Sequence, residues 1–141
     1  MDFGDKYKMN FFLKLRAQDY IENPNDDTMT NLLAEFVVRI EDNCEAFTPM
    51  VMHGDMYYYD TVSNGENDWI QMYTDWEELN KGRLTEFTMS QPIRCIVEDA
   101  FESRSAEGIV LNLHSEKVFL GKEELDWVLD VLMLREAEKA S

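Results

Sequence analysis

The spacing of apolar residues changes sharply near residue 47. Before it, Met29, Leu32, Leu33, Phe36, Val37 and Ile40 fall on one side of a helix; from 47 to 74, Val, Tyr, Met and Trp crowd into short runs separated by turn signals. A chain with both periods in adjacent segments must pack helices on a sheet, because neither an all-helical nor an all-β core accommodates both.

The helical part opens with an irregular pattern from about Lys6 to Glu22, a turn at Asn23 to Asp27, and a second helix capped by Thr28 or Thr30. Three antiparallel strands are expected next, Pro49 to His53, Asp55 to Val62 and Asp68 to Thr74. Gly54-Asp55 turns between the first two, and Asn64-Gly65 reads as a type I′ hairpin between the second and third. A short helix over Asp75 to Leu79 follows, with Thr74 or Asp75 as cap and Gly82 as stop. Ser90 then caps a longer helix with Pro92 in its first turn, in which Ile93, Ile96, Val97, Ala100 and Phe101 share a face. Gly108 to Leu113 and Lys117 to Leu120 read as strands, and the last helix starts near Gly121 with Glu123 and Glu124 against its N-terminal dipole. The sum is a single α+β domain, an antiparallel or mixed sheet of about five strands with helices packed on it. There is no regular βαβ alternation.

Charge narrows the partners. The 141 residues hold 13 basic and 29 acidic side chains, a net of −16. Residues 23 to 80 carry thirteen acids and only Arg39, so most of the excess lies in the middle of the chain. Nucleic acid and anionic membrane surfaces are disfavoured, since both call for Lys and Arg to neutralise phosphate. A protein partner with a basic surface fits better. Met1 to Lys14 lacks the pattern of a secretory leader, no apolar run is long enough to span a bilayer, and Cys44 and Cys95 lie far apart without CxxC spacing. A cytoplasmic protein with reduced thiols is the expectation.

Catalytic and metal signatures are thin. Asp60 to Asp68 resembles a calcium loop only until Gly65 is set on the obligatory glycine; Val62 and Gln71 then occupy positions that need oxygen ligands. His53 and His114 belong to no metal or hydrolase motif, and neither GxGxxG nor GxxxxGK occurs. The pairs Glu77-Glu78, Glu98-Asp99 and Glu123-Glu124 read as solvated faces or helix-start charges, because adjacent helical residues diverge. No cofactor, metal or catalytic set is expected.

Aromatic residues offer more. Alternation sends Tyr57 and Tyr59 to one face of their strand and Tyr58 to the other, and puts Trp69 and Tyr73 on one face of the next. Part of this set is core and part an amphipathic contact surface of the kind interfaces favour. The final helix has two apolar sides: Leu125, Val128, Leu129 and Leu132 on one, Trp127, Val131 and Leu134 nearly opposite. The second side either joins the domain to a partner or a second copy, or is covered by the first helix through Phe11, Phe12 and Leu15.

At Tyr73-Thr74-Asp75-Trp76-Glu77-Glu78-Leu79 and at Gly108-Ile109-Val110-Leu111-Asn112, continued by Ser115 to Leu120, the chain resembles the N-terminal domain of the SseB family, the enhanced serine sensitivity proteins of bacteria. The resemblance spans about residues 28 to 134, with Leu113 where the family usually has Pro. It implies a bacterial cytosolic α+β domain and transfers no catalytic set. Asp75, Trp76 and Asn112 are its motif residues, suited equally to capping, packing and bracing or to binding.

Three readings of function stand at this point. One is a non-enzymatic protein-interaction or regulatory module; another is an acidic inhibitor or immunity-type protein set against a basic, nuclease-like target; the third is a small-molecule binder or enzyme with a cleft near Tyr57, Trp69, Cys95 or His114. Folding is predicted to need no metal, because no complete ligand set is visible in the sequence. Excess EDTA should leave the thermal midpoint unchanged, and a fall of several degrees would reveal a missed site.

Overall fold

The computed structural model describes residues 9–82 and 87–140. Its elements run α1 (Phe11–Glu22), α2 (Asp26–Glu41), β1 (Glu45–His53), β2 (Met56–Tyr59), β3 (Thr61–Ser63), β4 (Asp68–Met72), α3 (Trp76–Asn80), β5 (Phe87–Pro92), α4 (Ile93–Glu102), β6 (Ala106–Leu111), β7 (Val118–Gly121) and α5 (Lys122–Ala140). The α+β class is as expected. Among the described residues the strands number seven rather than five and form two sheets, β2-β1-β5 and β3-β4-β6-β7, with β4 and β6 parallel and all other neighbours antiparallel.

Local chemistry sets the helix ends. Asn25, not Thr28 or Thr30, caps α2: its side chain accepts from the Thr28 N–H at 2.9 Å, while the Thr28 hydroxyl oxygen accepts from the Asn25 N–H at 3.2 Å. This reciprocal box satisfies two donors that the first turn leaves open. At the other end Asn43 takes φ 58°, and the N–H groups of Asn43 and Cys44 reach the carbonyls of Ile40 and Arg39. That is a Schellman ending with Asn in the left-handed place usually given to Gly. The last carbonyls of α4 are held by Lys122, whose ammonium donates to Ala100 and Ser103 at 2.6 Å and to Phe101 at 2.8 Å. The expected helical residues Lys6 to Lys8 lie outside the described residues.

Three strand expectations need correction. Ser90 does not cap α4; it sits in β5, where its hydroxyl donates to Glu45 at 2.8 Å, and Pro92 immediately precedes the helix. Gly54-Asp55 does turn β1 into β2, with Gly54 at φ 62° and His53 opposite Met56. The Asn64-Gly65 turn, however, spans four residues, since Ser63 pairs with Asp68. The Asn64 carboxamide accepts from the N–H groups of Glu66 and Asn67 at 3.1 and 2.9 Å, so its own side chain organises the loop.

The third correction concerns the middle strand, which does not run between two parallel-sided neighbours. It forks at Asp60. The Asp60 N–H donates to the carbonyl of Pro49 on β1 at 3.0 Å, and its carbonyl accepts from the Gln71 side chain on β4 at 2.9 Å. Residues before the fork pair with β1 and residues after it with β4. Below the fork β1 and β4 meet directly, Phe47 and Tyr73 exchanging both backbone hydrogen bonds at 2.9 Å.

One face of this combined sheet is covered by helices. Ile70 and Met72 of β4, Ile109 and Leu111 of β6, and Leu120 of β7 bury against Leu32, Leu33, Phe36, Val37 and Ile40 of α2, Ile93, Ile96 and Val97 of α4, and Leu125, Val128 and Leu132 of α5. Gly108 is required at the β6–β7 crossing, where a Cβ would lie 1.9 Å from the Leu120 carbonyl oxygen.

The carboxyl ends of β4 and β6 are tied by one side chain. Asn112, buried and at φ 46°, accepts from the Thr74 N–H at 3.0 Å and donates to the Thr74 hydroxyl at 3.1 Å. Asn112→Ala strands the buried Thr74 N–H and places Ala in a left-handed conformation, which should cost about 3 kcal/mol. Asn112→Asp keeps the acceptor and should cost less than half of that. Urea unfolding of both variants checks the order, and equal losses would refute the tie.

Candidate functional site

Beyond the carboxyl ends of the parallel strands β4 and β6, the place where open α/β sheets commonly hold ligands, the chain gathers its densest set of charges. Thr74 leaves β4 and Asp75 caps α3, accepting from the Glu78 N–H at 2.9 Å. That cap turns Glu78 inward, so that it is 1% exposed. Its carboxylate meets Lys81 at 2.7 Å and Lys14 of α1 at 3.0 Å, and Lys14 also approaches Asp75 at 3.5 Å. Lys81 donates in addition to Ser115 at 2.7 Å, in the loop between β6 and β7. Above the cluster His114 stacks on Tyr73, with Gly82 so close that a Cβ there would lie 2.0 Å from the imidazole Nε2.

The electrostatics follow from this crowding. Burial alone would raise the Glu78 carboxyl, but hydrogen bonds from Lys81, Ser115 and Lys14 outweigh it and hold the group below its ordinary value. Burial would likewise lower Lys14, yet Glu78, Asp75 and Glu116 raise it overall. Glu116 goes the other way: burial and the nearby Glu78 charge push its carboxyl up. One oxygen of Glu78 and one of Glu116 are buried without a partner, as is the Asn10 side-chain oxygen. The lysines neutralise Glu78 rather than leaving it as a free base, so the cluster clamps α1, α3 and the β6–β7 loop together.

The residues anticipated from sequence divide among three places. Asp75 and Asn112 belong to the clamp and its frame; Trp76 is exposed, its ring edge against Phe47 with centroids 5.5 Å apart. Asn112 and Trp69 are buried and so offer no contact surface; Trp69 packs on Phe119 at 4.9 Å because β4 is an inner strand. Glu78 is no solvated helix charge. Lys14, Lys81 and Glu116 carry no sequence signal, since each meets Glu78 or its neighbours through the fold.

A second place is the hairpin β1–β2. Tyr57 and Tyr59 share a face as expected, the Tyr57 ring lying edge-on to Phe87 at 4.6 Å and the Tyr59 hydroxyl bonding Asp99 of α4. Tyr58 points to the other face, beside His53 at 5.6 Å. Met52, Met56, Tyr57 and Tyr58 are all exposed, Met56 to 60% and Tyr57 to 54%. Among the described residues no ion pair reaches Asp55, Asp60, Glu66 or Asp68 around them.

The third place is the outer side of α5. Trp127 is 37% exposed and Leu134 66%, while Val131 is partly buried against the core. The first helix does not cover this side: α1 packs on α2, and Phe11, Phe12 and Leu15 are themselves exposed. Cys44 is buried 3.9 Å from the Arg39 guanidinium, its thiol raised by burial, whereas Cys95 is exposed; both are free. Among the described residues, no group of three His, Cys, Asp or Glu side chains is arranged to hold a metal, and no helix is long and apolar enough to cross a membrane. Comparison with family models, curated proteins and solved structures finds no match to this chain.

The clamp has a pH signature. With a folded-state value below the unfolded one, Glu78 contributes stability that is present above the ordinary carboxylate range and lost as pH falls through its folded value. Glu78→Gln should cost about 2 kcal/mol at neutral pH, below the figure for a fully buried pair because both lysines retain solvent contact. The difference from wild type should shrink toward zero as pH falls from neutral through the ordinary carboxylate range and below it. Urea unfolding across that interval checks it; a difference that stays constant would show that Glu78 acts through packing alone.

Proposed function

We propose that the chain is a non-enzymatic protein-interaction module of regulatory kind, and that the β1–β2 hairpin is its binding face. The observation that carries the reading is the exposure, on one hairpin, of Met52 and Tyr57 on one face and of Met56 and Tyr58 on the other, flanked by acids that no base neutralises among the described residues. An exposed strand pair with large side chains open on both faces is suited to being gripped by a partner, and Tyr and Met are the side chains that interface centres favour. The partner is a protein with a basic surface: residues 23 to 80, which include the hairpin, carry thirteen acids against one base. Attraction of this kind speeds encounter and weakens with salt.

The charged clamp supports the same reading from the other side. Two lysines hold the Glu78 carboxylate, and Lys14 also meets Asp75, which suits a brace better than a proton-transfer site at Glu78. The SseB-like stretches around Asp75 and Asn112 then act by holding the sheet on which the hairpin stands.

Replacing Met56 and Tyr57 together with Ser should leave unfolding within about 0.5 kcal/mol of wild type, as both side chains are exposed. The same variant should lose the proteins that wild type retains from native lysate at low salt and releases at high salt. Retention of the same proteins by the variant, identified by mass spectrometry, would move the binding face elsewhere.

A further inference from the structure

The fork at Asp60 determines which backbone groups of the hairpin are satisfied. In an antiparallel ladder, alternate residues direct both N–H and C=O to the same side. Asp60 bonds inward to Pro49 and Gln71, and Asn64 bonds inward to Asn67 at 3.1 Å, so the even-numbered residues from Met56 to Asn64 face β1 and β4. Tyr57, Tyr59, Thr61 and Ser63 therefore aim their peptide groups at the opposite, outer edge. Since β2 and β3 are the end strands of their sheets, that edge is one continuous run past the fork.

It also lacks the usual defences. Edge strands are commonly blunted by lysine or proline, and residues 56 to 63 contain neither; Asp60 is their sole charge, and it lies at the fork. Space adjoins the edge on two sides. One open cleft of about 430 Å³ is lined by Val51, His53, Tyr58, Asp60 and Thr61. A narrower one of about 220 Å³ separates Tyr59 and Thr61 from Asp99, Ser103 and Ser105 at the end of α4.

Resting on the reading of the chain as an interaction module, we propose that this outer edge accepts an extended, basic segment of a partner protein as an added β-strand. Main-chain pairing with Tyr57, Tyr59 and Thr61 supplies the attachment, and the clefts take alternate side chains. Charge selects the occupant. Asp55 and Asp60 at the two ends of β2 and Glu66 and Asp68 beyond it are without ion pairs among the described residues. A second copy of a chain with net charge −16 would bring the same acids edge to edge, which like-charge repulsion opposes.

The test uses two blocked peptides of roughly eight residues, one alternating Lys and Val and one alternating Glu and Val, each titrated into the labelled chain and followed by amide NMR. The Lys-Val peptide should shift and protect the amides of Tyr57, Tyr59 and Thr61, and lose at least tenfold in affinity as salt is raised; the Glu-Val peptide should not bind. Thr61→Pro removes one outward N–H without touching an inward bond, and should weaken Lys-Val binding about tenfold with the other amide positions unchanged. Should Thr61→Pro fail to fold, the wild-type protection pattern alone decides. The proposal is overturned by equal binding of both peptides, by shifts that map to α5 or to the clamp, by self-association through this edge, by unaltered binding to Thr61→Pro, or by no binding up to about 1 mM. Lysate partners lost by the Met56→Ser, Tyr57→Ser chain but kept by Thr61→Pro would leave the interaction reading standing and remove strand addition.

Discussion

The hydrogen bonds between Asn112 and Thr74 are the constraint on which the rest of the structure turns. Thr74 ends β4 with a buried N–H and a buried carbonyl, and neither has a strand neighbour to pair with. Asn112 takes the first, while Asn10 at the start of α1 donates to the second at 2.8 Å and to the Glu45 carbonyl at 2.7 Å. Four pieces of chain distant in sequence are thereby fixed at one point: the start of α1, the start of β1, the end of β4 and the end of β6. Since an unpaired buried peptide group costs about as much as several surface contacts gain, each piece is held by the penalty of leaving. The clamp of Lys14, Glu78 and Lys81 is assembled on this frame, because Lys14 is one turn beyond Asn10 and Glu78 one short turn beyond Thr74.

What the sequence made legible follows the range of the interactions involved. The buried faces of α2 and α4, the Asp75 cap and the Gly54 turn depend on residues within a few positions of each other, and all four stand where periodicity and turn chemistry put them. The strand β5 was illegible because Ser90 and Pro92 are also good helix-start residues; what decides between strand and cap is pairing with β1, more than forty residues away. The fork was hidden for a related reason. Nothing local distinguishes Asp60 within an alternating run, and it becomes a junction only because Gln71 and Pro49 approach it from two strands. The role of Glu78 is hidden in the same way, its neutralising partner Lys14 lying on another element.

The charge distribution gains meaning once the ion pairs are placed. Arg135 and Lys139 of α5 reach back to Glu41, at 2.8 and 3.6 Å, and Lys14 and Lys81 converge on Glu78. Bases from the two ends of the chain are thus drawn onto acids of the middle segment wherever the fold brings them close. The net of −12 over residues 23 to 80 overstates the charge near α2 and α3 and describes the hairpin well.

A hairpin whose acids meet no base among the described residues, whose Tyr57 and Tyr58 are exposed and whose outer backbone groups point away from both sheets runs against the rules that stabilise an isolated domain. Exposed Tyr and Met forgo burial worth about 1.5 to 3 kcal/mol apiece, and uncompensated carboxylates repel one another. The core draws on Tyr59 of this stretch, whereas Met56, Tyr57 and Tyr58 are exposed outside it. Such a concentration of exposed Met and Tyr in one place fits selection for contact better than selection for stability. On the strand-addition proposal, protection from aggregation falls to the acids themselves: like charge opposes a second copy at the edge, and the same charges would select a basic segment to close it.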